Sequence, residues 1–200
     1  SALRFVIVNS ILFMGAAYLL NSLCFLLSPI ALLVILGYSY TKRFTALCHL
    51  ILGLGLSLSP IGAYLAVTAQ FDILPLLFSC LVLFWVSGFD IIYALQDESF
   101  DKQLNLHSIP VLLGQKNALR FSRLMHFIAA AIILFIGINY FPNSTLFWTA
   151  TSLFIGLLIN QHRLVKPDDM SKINLAFFTN NGIASLIFGS LIVIELITNN

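Results

Sequence analysis

Charge is what this chain most lacks. Asp, Glu, Lys and Arg together make up 9% of its 200 residues, where a water-soluble domain carries about 25%. That leaves too little polar surface to cover a soluble globule, and a mean hydropathy of +0.98 agrees. Cysteine is scarce too. Cys24, Cys48 and Cys80 stand apart, each inside an apolar run, and no spacing suggests a metal finger or a disulfide framework. They are expected to be small buried hydrophobes. The short alternating segments of a transmembrane β-barrel are missing, as are an internal repeat, a low-complexity tract and a signal-peptide cleavage pattern. No nucleic-acid partner is expected. What remains is an all-α, polytopic membrane helix bundle forming one domain over residues 1–200.

About 20 apolar residues cross a bilayer as a helix. Seven such runs are present, at roughly 3–20, 22–40, 46–69, 73–95, 118–139, 145–161 and 173–197. Basic residues are absent from every second connection. Arg4, Lys42, Arg43, Lys102, Lys116, Arg120, Arg123, Arg163, Lys166 and Lys172 account for all ten, and alternating helices put them on one side. The positive-inside rule makes that side cytoplasmic, with the N-terminus inside and the C-terminus outside. Trp148, Tyr140 and Phe141 then fall at the outer boundary, where an aromatic belt belongs. In the third run, Gly53–Tyr64 combines small residues with Pro60. This suits either close helix packing or the wall of an intramembrane cavity.

Four of the eight acidic residues gather in one stretch, GFDIIYALQDESFDKQLNLHSIP, Gly88 to Pro110. Asp90, Asp97 and Asp101 are spaced by seven and four residues. At about 100° per residue their directions lie within about 20° of Asp90's, provided that the fourth helix runs through the motif. Stacked carboxylates repel, and an ionised Asp at membrane depth costs at least about 2.5–3.5 kcal/mol. Lys102 offers one partial offset. Three readings remain open on spacing alone: a solvated acidic loop, a proton or cation pathway, and a site for a hard divalent ion on carboxylate oxygens. The four histidines, His49, His107, His126 and His162, show no mutual metal spacing. Asp168 and Asp169 after Pro167 read as a solvated turn or helix start, and Glu195 as interfacial.

The pattern Asp90-x-x-Tyr93-Ala94-x-x-Asp97-x-x-x-Asp101, followed by Ser108 and Pro110, resembles the second Asp-rich motif of the UbiA superfamily of membrane aromatic prenyltransferases. YSYTKRFT, Tyr38 to Thr45, resembles that family's cytoplasmic loop two helices earlier, and the small-residue stretch after it fits as well. The resemblance covers essentially the whole chain and is nearest to 4-hydroxybenzoate polyprenyltransferases. It implies nine transmembrane helices around a cavity open to lipid. It also implies two facing Asp-rich motifs that hold Mg²⁺ on an isoprenyl diphosphate. The seven runs here correspond to helices three to nine. The first motif, of Asn-Asp-x-x-Asp type, is not in this sequence, which begins at Ser1 rather than Met. The upstream reading frame is therefore expected to encode about two more helices ending in that motif. Asn105 stands where many members have Gly; Asn tolerates a left-handed backbone next best.

By this resemblance the function is transfer of a polyprenyl group from its diphosphate to a small aromatic acid, 4-hydroxybenzoate or a related quinone precursor, in ubiquinone or menaquinone biosynthesis. The expected place is the bacterial cytoplasmic membrane, with Mg²⁺ as cofactor. Asp97 and Asp101 are the expected metal ligands. Asp90 is a third, or else it orients a Lys or Tyr neighbour. Lys42 and Arg43 are expected to contact phosphate and, with Tyr93, to act in catalysis. Tyr38, Ser39, Tyr40, Lys102 and Ser108 are expected to bind diphosphate or acceptor. Two other readings stand beside this one: a non-catalytic fragment of the family, and a polytopic transporter. Prenyl chain length, acceptor identity and oligomeric state have no signature in these residues.

Overall fold

Breaks in the apolar runs become helix ends because polar side chains meet the backbone groups that a helix terminus leaves unpaired. The computed structural model describes residues 2–167 and 169–198. Its helices are α1 (Ala2–Leu20), α2 (Ser22–Thr41), α3 (Cys48–Thr68), α4 (Ile73–Ala94), α5 (Glu98–Gln103), α6 (Ile109–Tyr140), α7 (Thr145–Leu164) and α8 (Asn180–Thr198). A 3₁₀ turn, Leu95–Asp97, joins α4 to α5, and a π turn, Leu175–Thr179, leads into α8. Among the described residues the only strand-like pairing is an isolated bridge between Lys166 and Asp169.

The caps explain the boundaries. Extended Asn21 accepts the Cys24 N–H at 2.9 Å, and its Nδ2 donates to the Leu65 carbonyl at 2.8 Å. One Asn thus starts α2 and ties the α1–α2 turn to the far end of α3. Asp72 caps α4 through the Leu74 N–H at 3.0 Å, and Ser144 caps α7 through the Phe147 N–H at 2.9 Å. Beyond Pro167, Asp169 accepts from the Ser171 hydroxyl at 2.6 Å and its N–H at 3.0 Å. These bonds hold its carboxyl below the usual carboxylate range. Asp168 lies outside the described residues.

Among the described residues six helical segments are long and apolar enough to cross a membrane, against the seven expected. The seventh, α7, has 20 residues, but its last turns carry Asn160, Gln161, His162 and Arg163. Gln161 is 1% exposed, donating to the Ala176 carbonyl at 2.9 Å and to Asn181 Oδ1. The Gln161 amide N–H groups are thus met by protein rather than lipid. Glu195 stands beside the Tyr140–Ser144 turn, at the end of the bundle where it is expected, and is 4% exposed. Of the cysteines only Cys48 is buried; Cys24 is half-buried and Cys80 exposed.

Two apolar cores hold the bundle. One joins Ile91, Ile92 and Leu95 to Ile109, Leu119, Val165, Ile173 and Ala176. This brings the α7–α8 connection, with Arg163, Lys166 and Lys172, to the end where α4 meets α6. The other joins Leu81, Ile133, Ile136, Phe147, Phe154 and Ala184. The small residues of α3 serve both expected purposes. Gly53 packs so closely on α4 that a Cβ there would lie 2.5 Å from the Leu83 carbonyl oxygen and would also strike Ser87 Oγ. Gly55, Ser59, Gly62 and Ala63 line an apolar cavity of about 680 Å³ with α1 and α2.

Gly53→Ala should therefore force α3 and α4 apart, with an overpacking cost of about 1–3 kcal/mol. Gly62→Ala, where an added Cβ meets no atom within 4 Å, should leave stability nearly unchanged. Thermal unfolding of the two variants in detergent, compared with the parent, checks the difference.

Candidate active site

The chain stays right-handed helical from Ile73 to Gln103 through the acidic motif, but not as one regular α-helix. Helix α4 stops at Ala94, tightens into the 3₁₀ turn that contains Asp97, and restarts as α5, which carries Asp101. The expected single stripe is thus broken, and each carboxylate has its own surroundings. Asp101 is 0% exposed. Lys42 Nζ, from the end of α2, lies 2.8 Å from its Oδ1. The contact is an ion pair without hydrogen-bond alignment, so neither Asp101 oxygen has an aligned donor. Asp97 is half-buried, and no described side chain pairs with it. Asp90 faces the interior, with His49 Nδ1 of α3 at 2.6 Å from its Oδ2.

The Leu104–Ser108 connection is fastened to the α2–α3 connection. The His107 N–H donates to the Lys42 carbonyl at 2.7 Å, and Cys48 Sγ lies 3.6 Å from the His107 carbonyl oxygen. After α5 the chain turns through Asn105 at φ +54°, the left-handed position that ends many helices and that Asn or Gly accepts. The Leu106 N–H then closes on the Asp101 carbonyl at 2.9 Å. α6 begins earlier than the expected position 118, at Ile109, because Ser108 caps it. Ser108 is fully buried and its Oγ accepts the Val111 N–H at 3.4 Å. Gly114, at φ +73° and ψ 162°, then kinks the chain into the long part of α6.

The other expected site residues sit at the same end in two groups. Tyr38, Ser39, Tyr40 and Arg43 are exposed on the end of α2 and the turn beyond it, with the Arg43 guanidinium 5.5 Å from the Tyr40 ring centre. Lys102 pairs with Glu98 one turn back, which leaves Lys42 as the cation on Asp101. Tyr93 is half-buried and stacks on Phe177 of the π turn with ring centres 4.1 Å apart. Phe177 also meets Phe89, which meets Trp85, at 5.4 and 5.8 Å. An aromatic row therefore descends from the acidic end into the bundle.

Two histidine pairings escaped the sequence. His49 bonds Asp90, and His126 Nδ1 lies 2.9 Å from His162 Nε2. The partners are 41 and 36 residues apart, so no local spacing signals them. The one available hint was that His49 opens a helix at the basic end.

As a metal site the residues fit in part. Among the described residues no three His, Cys, Asp or Glu side chains converge on one point. Mg²⁺, however, is usually bound by one or two carboxylates together with substrate phosphates. Asp97 and Asp101 are the two carboxylates of the motif with no aligned hydrogen-bond donor among the described residues.

A sequence profile of the UbiA prenyltransferase family matches residues 1–182. The chain belongs to this family. Among UbiA relatives, the 4-hydroxybenzoate octaprenyltransferase of Francisella tularensis subsp. novicida (strain U112) is 30% identical over 169 residues, covering 84% of this chain and 59% of that protein. The enzyme of the same name from Nitrosomonas eutropha is 31% identical over 181 residues, covering 89% and 62%. The chain thus spans about three-fifths of the length of the curated relatives it matches. The solved apo structure of a UbiA homolog from Aeropyrum pernix K1 superimposes with a TM-score of 0.85 at 30% identity, over 98% of this chain and 72% of that one.

Breaking a buried ion pair from one side costs about 3–5 kcal/mol, because a desolvated charge is left alone. Lys42→Met should approach that loss in denaturant-induced unfolding, and Lys42→Met combined with Asp101→Leu should recover most of it. Asn105→Gly should stay within about 1 kcal/mol of the parent, since both residues accept positive φ.

Proposed function

We propose that the chain provides the second Asp-rich half of a Mg²⁺-dependent aromatic prenyltransferase, acting on a polyprenyl diphosphate and a small aromatic acid such as 4-hydroxybenzoate. The observation that carries this reading is the state of Asp101. It is a fully buried carboxylate, matched to a single lysine, with no aligned donor on either oxygen. Such a group is costly unless further positive charge reaches it. Family membership and the names of the two relatives support the same chemistry.

In this reading Asp97 and Asp101 would hold the metal, and Lys42, beside Asp101, would contact phosphate oxygens. Mg²⁺ there would supply positive charge to offset that which grows on the diphosphate as the allylic C–O bond breaks. Lys42 and Arg43 add fixed positive charge there, Arg as a fork and Lys as a point charge. Tyr38, Ser39 and Tyr40 stand beside them as contacts for phosphate or acceptor. Lys102 and Ser108 take supporting places, one neutralising Glu98 and the other starting α6. Tyr93, at the head of the aromatic row, presents a ring face toward the acceptor. The apolar residues of α1, α2 and α3 keep water from the allylic carbon, and the cavity between these helices suits an isoprenoid tail. The basic end is cytoplasmic in a bacterial inner membrane, and the product enters quinone biosynthesis.

The test is Mg²⁺-dependent release of diphosphate by the complete protein in membranes. Asp97→Ala and Asp101→Ala should each lower it by at least a hundredfold while the protein still inserts. Full activity in Asp97→Ala would overturn the ligand assignment. Solute flux through liposomes that needs no metal would favour the transporter instead.

A further inference from the structure

His49 is the second residue of α3 and 3% exposed. Both of its ring nitrogens are engaged. Nδ1 lies 2.6 Å from Asp90 Oδ2 on α4, and the backbone N of Ile109, on α6, lies 3.3 Å from Nε2. A peptide N–H can only donate, so Nε2 accepts and is bare. The ring proton is then on Nδ1 and is donated to Asp90. Ile109 is the first residue of α6, and its N–H is one of the groups a helix start leaves unpaired. Ser108 takes the Val111 N–H and His49 takes that of Ile109. The imidazole thus caps α6 from a neighbouring helix, and Asp90 holds the imidazole in the tautomer that can do so.

This cap lies next to the metal-holding turn. The residues between Asp101 and Ile109 are tied to the α2–α3 connection by the His107–Lys42 backbone bond and the Cys48 contact. His49 ties α3, α4 and α6 together. Asp90 is also poorly placed as a ligand. Seven residues, roughly 10 Å of helix, separate it from Asp97. Two oxygens on one Mg²⁺ at 2.0–2.1 Å are at most about 4 Å apart.

We propose that Asp90 and His49 are a positioning pair rather than metal ligands: Asp90 orients His49, and His49 fixes the start of α6, setting the Asp97–Asp101 turn where Lys42 and a metal–diphosphate can meet it. This rests on the reading that Asp97 and Asp101 bind the metal and diphosphate.

The experiment uses the detergent-purified full chain, Mn²⁺ with inorganic diphosphate as the probe, electron paramagnetic resonance to measure binding, and hydrogen–deuterium exchange over residues 104–111. His49→Leu, which removes both bonds, should weaken binding at least tenfold and speed exchange at 104–111, leaving 129–136 unchanged. His49→Gln can still donate and accept, and Asp90→Asn keeps an acceptor; both should stay within threefold of the parent. Should Asp90→Asn weaken binding as much as Asp97→Asn, Asp90 is a ligand and the proposal falls. It falls equally if His49→Leu binds within threefold of the parent. Where His49→Leu fails to fold, Asp90→Leu against Asp90→Asn decides: a tenfold gap supports positioning and equal affinities overturn it. If Asp97→Asn and Asp101→Asn leave binding intact, the metal reading fails. The exchange response to His49→Leu then still tells whether the pair fixes α6.

Discussion

A carboxylate shut away from water has to be met by positive charge, and at the acidic end of this bundle Asp101 is met by Lys42. Much of the local architecture serves that meeting. Lys42 comes from the end of α2 and Asp101 from α5, so the two connections that carry them must lie against each other. The backbone bond from His107 to the Lys42 carbonyl holds them there. The ion pair is sheltered but not well aligned, a state in which the desolvation cost is only partly offset.

The same rule, that lipid supplies no hydrogen bonds, accounts for the rest of the fold. Asn21, Asp72, Ser108 and Ser144 each start a helix by taking a backbone N–H. The carboxamide of Gln161 donates to the Ala176 carbonyl within the π turn. Ser87 Oγ donates back to the Leu83 carbonyl at 2.7 Å, and Gly53 lets α3 come close enough to cover it. Close packing of α3 on α4 in turn brings His49 within reach of Asp90.

The helices were legible because apolar runs of bilayer length have few alternative structures, and their ends because Asn21, Asp72 and Pro142 interrupt those runs. The clustering of the basic residues carried the alternation of the ends. The acidic stripe was not legible. Whether a regular α-helix continues from Ala94 to Asp101 depends on tertiary contacts: Leu95 is buried to 1% among residues of α6 and the α7–α8 connection, and the chain tightens to bury it. Lys102 looked like the natural counter-ion to the motif because it adjoins Asp101. On a helix, however, i and i+4 share a face and neighbours do not, so it turned to Glu98. His49 and Asp90 were individually visible, but nothing in either neighbourhood announces a partner 41 residues away on the adjacent helix.

The contrast between Asp97 and Asp101 follows from where the helix breaks. Had α4 continued, both would face one direction, with similar exposure and mutual repulsion. The 3₁₀ turn leaves Asp97 half-buried with no described side chain paired to it, while α5 carries Asp101 inward to Lys42. Two carboxylates then stand close in sequence with less mutual repulsion, because the buried one has a cation beside it. Asp101 is held in place by Lys42, so α5 is ordered by an ion pair within the chain itself.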